Sequence, residues 1–434
     1  MNDSTALFIL TSVIVWPLCN LLALIVAPNK SIATQFACLA GLPAAIAALL
    51  LPLTSQPLYF DLMLKGALGL DETGRGFLLF SSALWCAAGI YAKASIARDK
   101  QFSFYVFYLL AMSGNFALIF AQDILTFYGG YALMSLAFYG LLFAQDSTQT
   151  LNSQRLASAA KIYIAFTMIS ELSIFAAIAL IEGSVGVTDF TSIQAMLAVS
   201  PYLNAIVLFL VIGFGIKTAV IGLHMWLPLT YCAAPIAATA ILAGALAKVG
   251  VLGWLRMFPA LEQPLFEWGT LLVVLGSVAA FYGVLIGITQ RTLKAILAYS
   301  SISQLGIITL LCGLLLLIPA HRIELTAAIT LYALHHGLNK GSLFLGVGLC
   351  RAERCTRRWM WLLMMLPALS LAGAPLSSGM LAKLALKEQI HALPEGRYAL
   401  LSLAVTLMSI GTAVLVVKFL YHCKPNSATH HAHP

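Results

Sequence analysis

Seven ionisable side chains stand inside long apolar stretches of the chain: Glu171, Lys217, Lys248, His335, His336, Lys340 and Lys383. Placing such a group in the middle of a bilayer costs at least about 2.5 to 3.5 kcal/mol on insertion scales, so each is a functional candidate by default. Lys217 lies deep in IVLFLVIGFGIKTAVIGLHMWLP and Lys248 in the middle of ATAILAGALAKVGVLGWL. Each is about ten or more residues from the ends of its stretch, beyond the snorkelling reach of a lysine stem. His335 and His336 precede Lys340 in TLYALHHGLNKGSLFLGVGL, which puts His336 and Lys340 on one helical face at i, i+4. Lys383 follows AGAPLSSGMLA, and Glu171 interrupts IYIAFTMISELSIFAAIAL. For Lys340 and Lys387 a snorkelling or locally paired side chain is an equally good reading. Desolvation brings amine protonation within reach of neutral pH, and histidine already titrates there. A row of such groups on successive helices is what a proton path along the membrane plane requires, although structural ion pairs would leave the same residues.

The elements that carry these groups are membrane helices. At 61% hydrophobic and 9% charged, the chain cannot be a soluble domain, which carries about a quarter charged residues. The apolar runs are continuous, which excludes the alternating strands of a barrel. The expected fold is an all-α polytopic membrane protein of about 13 transmembrane helices. The spans fall near 5–27, 32–52, 76–97, 102–120, 123–145, 156–181, 201–223, 236–258, 268–289, 293–318, 325–349, 359–387 and 398–420. The first run lacks a basic n-region and a cleavage site, so it reads as a span and not as a signal peptide. The longest segments between spans are roughly 20 residues, too short for a nucleotide-binding or catalytic domain. The formal charge of +8 is scattered in ones and twos, which fits topology and not nucleic acid. Lys and Arg concentrate in one set of alternate loops, Lys93, Arg98, Lys100, Arg291, Lys294, Arg351 and Arg354 among them. That asymmetry predicts a multi-pass protein of the cell (inner) membrane with its N-terminus outside and its C-terminus cytoplasmic. The eight cysteines form no CxxC pair and read as small buried hydrophobes. No catalytic or redox centre, cofactor or metal site is therefore expected. The cluster His430, His431 and His433 could chelate a metal, but reads as an unstructured tail.

The lysine-bearing spans carry helix breakers. Pro228 and Pro235 follow Lys217, and Pro375 precedes Lys383 between Gly373 and Gly379. Broken helices are tolerated in membranes where they line a wet cavity, and a matched pair of them points to inverted repeats. The spacing fits two five-helix units, spans 4–8 and 9–13. The expected divisions are an N-terminal three-helix segment at 1–100, half-channels at 101–258 and 259–423, and a polar tail at 424–434.

These residues carry a resemblance to a known family. HMWLPLTYCAAPIAATAILAGALAKVGVLGWLR resembles the signature of the antiporter-like membrane subunits shared by respiratory complex I, Mrp-type cation/proton antiporters and membrane hydrogenases. His224, Trp226, Leu227, Pro228, Ala234, Pro235, Gly244, Lys248, Gly250 and Arg256 match the pattern. RTLKAILAYSSISQLG, ALHHGLNKGSLFL and LAGAPLSSGMLAKL resemble three further family motifs, in order and at the right spacing. The four cover spans 4 to 13; the first three spans match only in hydropathy. The resemblance implies two inverted proton half-channels. Lys217 would be the broken-helix lysine of the first, Lys248 the connecting lysine, His335 and His336 the middle of the axis, and Lys383 the lysine of the second. In the family a glutamate on span 5 pairs with the first lysine, whereas here the corresponding pair is Tyr131–Ala132. Glu171, on span 6, is the candidate substitute; gating of this half-channel by a partner protein is the alternative. Many family members continue into a further helix, which this chain replaces by the polar run YHCKPNSATHHAHP.

The expected function is that of a proton-translocating antiporter-like subunit of a larger membrane complex, with other membrane subunits and a soluble redox or zinc-binding protein as candidate partners. Alternatives are the membrane subunit of a two-component inorganic-carbon uptake system, a Na⁺/H⁺ antiporter or other stand-alone transporter, and a scaffold that has lost transport. A sodium site would want clustered carboxylates, and a scaffold gains nothing from buried lysines.

Overall fold

A computed structural model of the chain describes residues 2–28, 30–61, 65–144, 153–351, 357–393 and 395–424. Arg354 and the histidine cluster at 430–433 lie outside these described residues. The helices are α1 (Asp3–Val26), α2 (Lys30–Cys38), α3 (Leu42–Leu50), α4 (Glu72–Ser95), α5 (Arg98–Phe120), α6 (Ile124–Leu141) and α7 (Ser153–Val185). There follow α8 (Phe190–Met196), α9 (Leu203–Lys217), α10 (Trp226–Ala233), α11 (Ile236–Gly244), α12 (Val249–Met257), α13 (Phe266–Thr289) and α14 (Leu293–Leu317). The last four are α15 (Arg322–Arg351), α16 (Arg357–Ala372), α17 (Ser378–His391) and α18 (Glu395–Cys423). A small antiparallel hairpin, β1 (Leu58–Asp61) with β2 (Lys65–Leu68), stands between α3 and α4 in a segment whose sequence reads as a plain loop.

Ten of the described helical segments are long and apolar enough to cross a membrane. Each of the thirteen expected spans coincides with one helix or with a broken pair. The chain is thus a multi-pass helical membrane protein. The 30-residue α15 is long enough but carries His335, His336, Asn339 and Lys340, which lower its hydropathy. The centre is the α11–α12 span, buried along its whole length, with α14 beside it almost as deeply enclosed. α1, α7, α13 and α18 turn apolar faces outward, as lipid requires.

Helices approach closely where side chains are absent. A Cβ on Gly114 of α5 would stand 2.6 Å from the Gly130 carbonyl of α6, and one on Gly276 of α13 would stand 2.5 Å from the Gly306 carbonyl of α14. Small residues allow such backbone contact between membrane helices. The neighbour pairs α5–α6, α6–α7, α7–α9 and α9–α12 recur as α13–α14, α14–α15, α15–α16 and α16–α18. In both halves, consecutive spans pack side by side.

Three interruptions shape the interior. α9 ends at Lys217 itself, and the unwound segment 218–225 contains Ala219 and Gly222 at φ 54° and 88°. Pro228 does not make this break. It sits in the first turn of α10, where its missing N–H would be unpaired anyway, and Pro235 caps α11. The second interruption, a 3₁₀ turn over Leu246–Lys248, has no proline and no forewarning in the sequence. The third separates α16 from α17 and does contain Pro375, beside Gly373 at φ 88° and Leu376 at φ 61°.

Candidate functional site

The structure gathers the expected residues into three groups along the interior. In the first, Lys217 closes α9 and is buried at 2% exposure. Its Nζ lies 5.5 Å from the ring centre of Tyr131 on α6 and 5.3 Å from that of Tyr163 on α7. Glu171, also on α7, is 4% exposed; the Ser135 hydroxyl of α6 lies beside its carboxylate, with no hydrogen bond of ordinary geometry to either oxygen among the described residues. It lies within electrostatic reach of Lys217 but forms no direct ion pair with it. Trp226 donates from Nε1 to the Ile216 carbonyl at 2.8 Å, stitching α10 to the end of α9 across the break. His224 lies in that break; its Nδ1 accepts from the Gly222 N–H at 3.2 Å, and its ring meets Tyr282 of α13 edge-on at 5.0 Å.

The central group is Lys248, His336 and Lys340, all fully buried. α11 and α15 cross here with backbone in contact, since a Cβ on Gly337 would stand 2.6 Å from the Gly244 carbonyl. Lys248 donates to the Ala243 carbonyl. Lys340 donates to Leu297 of α14 at 2.9 Å, so it does not snorkel. His336 has no hydrogen-bond partner for either ring nitrogen among the described residues, and both lysines lie within its electrostatic reach.

The third group joins α15 to the last break. His335 Nδ1 is 2.9 Å from Ser378 Oγ, Asn339 reaches both His335 Nδ1 (3.0 Å) and Ser370 Oγ (3.3 Å), and the two serine hydroxyls are 3.1 Å apart. Lys383 on α17 donates to the Ala372 carbonyl, the last of α16, at 2.6 Å. Pro375 lies in this break, next to the group it helps to shape.

Some participants were not singled out by their sequence. Lys294, assigned to a cytoplasmic loop, is instead buried at 3% exposure, where it caps the end of α10 through the Ala234 carbonyl (2.5 Å) and the Cys232 carbonyl (3.3 Å). It stands one residue inside α14, where hydropathy cannot separate a loop lysine from a buried one. Gln304 ties α14 to α18 and α15, donating to Thr412 at 2.8 Å and accepting from Tyr332 at 2.9 Å. Tyr131 stood out only as a departure from the family pattern. At the start of α4, Asp71 caps the helix and receives both terminal nitrogens of Arg256 from the end of α12, the Nη2 bond being 2.8 Å. Burial pushes the Asp71 carboxyl up, but the Arg256 guanidinium and hydrogen bonds from Arg256 and the Gly74 N–H outweigh it and hold the group below its ordinary value.

Fold and site together define a polytopic helical membrane protein with lysines and histidines buried in its interior. The chain belongs to the NADH:quinone oxidoreductase/Mrp antiporter transmembrane family, whose model matches residues 121–411. It is 35% identical over 201 residues to hydrogenase-4 component B of Escherichia coli K12, covering 44% of this chain and 30% of that protein. It is 30% identical over 220 residues to a Na⁺/H⁺ antiporter subunit of Alkalihalophilus pseudofirmus, covering 48% and 43%. The chain thus spans less than half the length of these two relatives. Two solved structures share the fold. One is an Mrp complex from Dietzia sp. DQ12-45-1b, with TM-score 0.82, 21% identity and coverage of 96% of this chain and 47% of that one. The other is respiratory complex I from Thermus thermophilus, with TM-score 0.80, 19% identity and coverage of 97% and 90%.

Proposed function

We propose that the chain is a proton-translocating, antiporter-like subunit of a larger membrane complex. Protons pass along the interior row through Glu171 and Lys217, Lys248, His336 and Lys340, then His335 and Lys383. The observation that carries this reading is His336, fully buried within electrostatic reach of Lys248 and Lys340, with both ring nitrogens unbonded among the described residues. A buried polar group left unpaired calls for a reason, and a proton acceptor must keep a lone pair free. The repeated neighbour scheme supports two half-channels, 101–258 and 259–423, related by inversion because five helices reverse the direction of the chain. The loop charges support an N-terminus outside the cell membrane and a cytoplasmic C-terminus. Partners are other membrane subunits, with a soluble redox or zinc-binding protein as the coupled component.

Lys248→Met keeps the stem and removes the ammonium. In membrane vesicles carrying the assembled complex, proton flux should fall by about a hundredfold, the scale of losing a positioned acid or base. Unchanged flux with the variant in place would overturn the relay. Sodium/proton exchange is the second reading, favoured by the identity with an antiporter subunit; flux that persists when choline replaces sodium counts against it.

A further inference from the structure

Lys217 differs from the other interior lysines in what holds it. Lys248, Lys294, Lys340 and Lys383 each donate to a backbone carbonyl. The Lys217 ammonium forms no hydrogen bond or ion pair among the described residues, and two aromatic faces stand within about 5.5 Å of it. A cation near the face of an aromatic ring is attracted by the ring's quadrupole, and more strongly where water is excluded. Both rings are immobilised. The Tyr131 hydroxyl lies 2.6 Å from Ser170 Oγ, and Ser170 in turn donates to the Gly213 carbonyl at 2.7 Å. The Tyr163 hydroxyl donates to the Ser135 carbonyl at 3.0 Å. Phe214 meets the Tyr131 ring edge-on at 5.9 Å, and Trp226 meets the Tyr163 ring at 5.8 Å. The two hydroxyls are thus engaged elsewhere, and the faces serve the ammonium. Tyr131 stands next to Ala132, where α6 offers no carboxylate.

We propose that Tyr131 and Tyr163 are positioning residues that clamp the Lys217 ammonium between their rings in place of an acidic partner, a role that rests on Lys217 carrying protons at all. The clamp differs chemically from a carboxylate. A ring cannot take the proton, so the clamp favours the cation without neutralising it, and the site's net charge stays positive when loaded. Glu171, with only the Ser135 hydroxyl beside its carboxylate and no ion pair among the described residues, is then the acid that exchanges a proton with this site.

The test varies the quadrupole without changing ring size. In the assembled complex in inverted membrane vesicles, position 131 receives phenylalanine, then phenylalanine bearing one, two and three ring fluorines by nonsense suppression, alongside Tyr131→Leu. Flux is normalised to the amount of complex in the membrane. The clamp predicts that Tyr131→Phe restores flux relative to Tyr131→Leu, which falls about tenfold, and that flux declines stepwise with fluorination. Flux indifferent to fluorination, or equal flux for Phe and Leu, would overturn the clamp. Lys217→Ala separates this from the relay itself. If that variant keeps its flux, the relay reading fails; if it loses flux while the fluorine series stays flat, only the clamp fails.

Discussion

An ammonium in a hydrocarbon layer needs acceptors, and this chain supplies most of them from the backbone. Lys383 caps α16 at Ala372, Lys294 caps α10 at Ala234, and Lys248 reaches Ala243 near the end of α11. The C-terminal end of a helix carries roughly half a negative charge, so each break supplies a partial counter-charge at the depth where a carboxylate would be costly. Gly373 shows how tightly one such contact is made: it sits at φ 88°, and a Cβ there would approach Lys383 Cδ to 2.8 Å. Gly373→Ala should therefore lower stability by about 1 to 2 kcal/mol in a detergent melt, with Gly373→Asn milder because asparagine tolerates the left-handed region. Flux should drop in both as Lys383 is displaced. Lys248 and Lys383 were legible in the sequence from type and depth alone, whereas Lys294 was not. Their acceptors were not legible either, because a carbonyl belongs to every residue and only folding decides which ones lose their helical partner.

Hydropathy is one-dimensional, so helices α1, α4, α5, α13 and α14 can be placed along the chain without knowledge of the fold. The interruptions are another matter. Pro228 points to a break at its own position, yet the chain unwinds ahead of it at 218–225, and the turn at Leu246–Lys248 has no proline nearby. Unwinding is settled by what catches the freed groups, such as the Trp226 indole on Ile216 or Lys248 on Ala243. Helix contacts are equally specific. Gly114→Val puts a branched side chain where the Gly130 carbonyl lies 2.6 Å from a Cβ, and it should force α5 and α6 apart. A steep loss of membrane-inserted protein, measured by quantitative blotting, is the expected outcome, whereas Gly129→Ala, where a Cβ meets open space, should leave the amount unchanged.

For the molecule as a whole, the Asp71–Arg256 pair fastens the start of α4 to the end of the central span, 185 residues apart in sequence. Because the Asp71 carboxyl titrates below its ordinary range, the pair adds stability above the usual aspartate pKa of about 3.9, and that contribution is lost as pH falls through the depressed value. The melting temperature of the wild type should exceed that of Asp71→Asn at pH 7, and the gap should close only under strong acidification. A gap that persists at the lowest pH would show that charge is not what holds the two elements. The composition by itself determined that this chain lives in a membrane, because a polar backbone in lipid leaves continuous apolar helices as the only option its pattern allows. The order and spacing of motifs likewise determined the family. Only the tertiary structure decided that Lys294 is interior, that Lys217 lies against two rings and that His336 is fully buried with neither ring nitrogen bonded among the described residues. Those outcomes depend on contacts between residues far apart in the chain, and hydropathy carries no record of which distant group fills the space beside a buried charge.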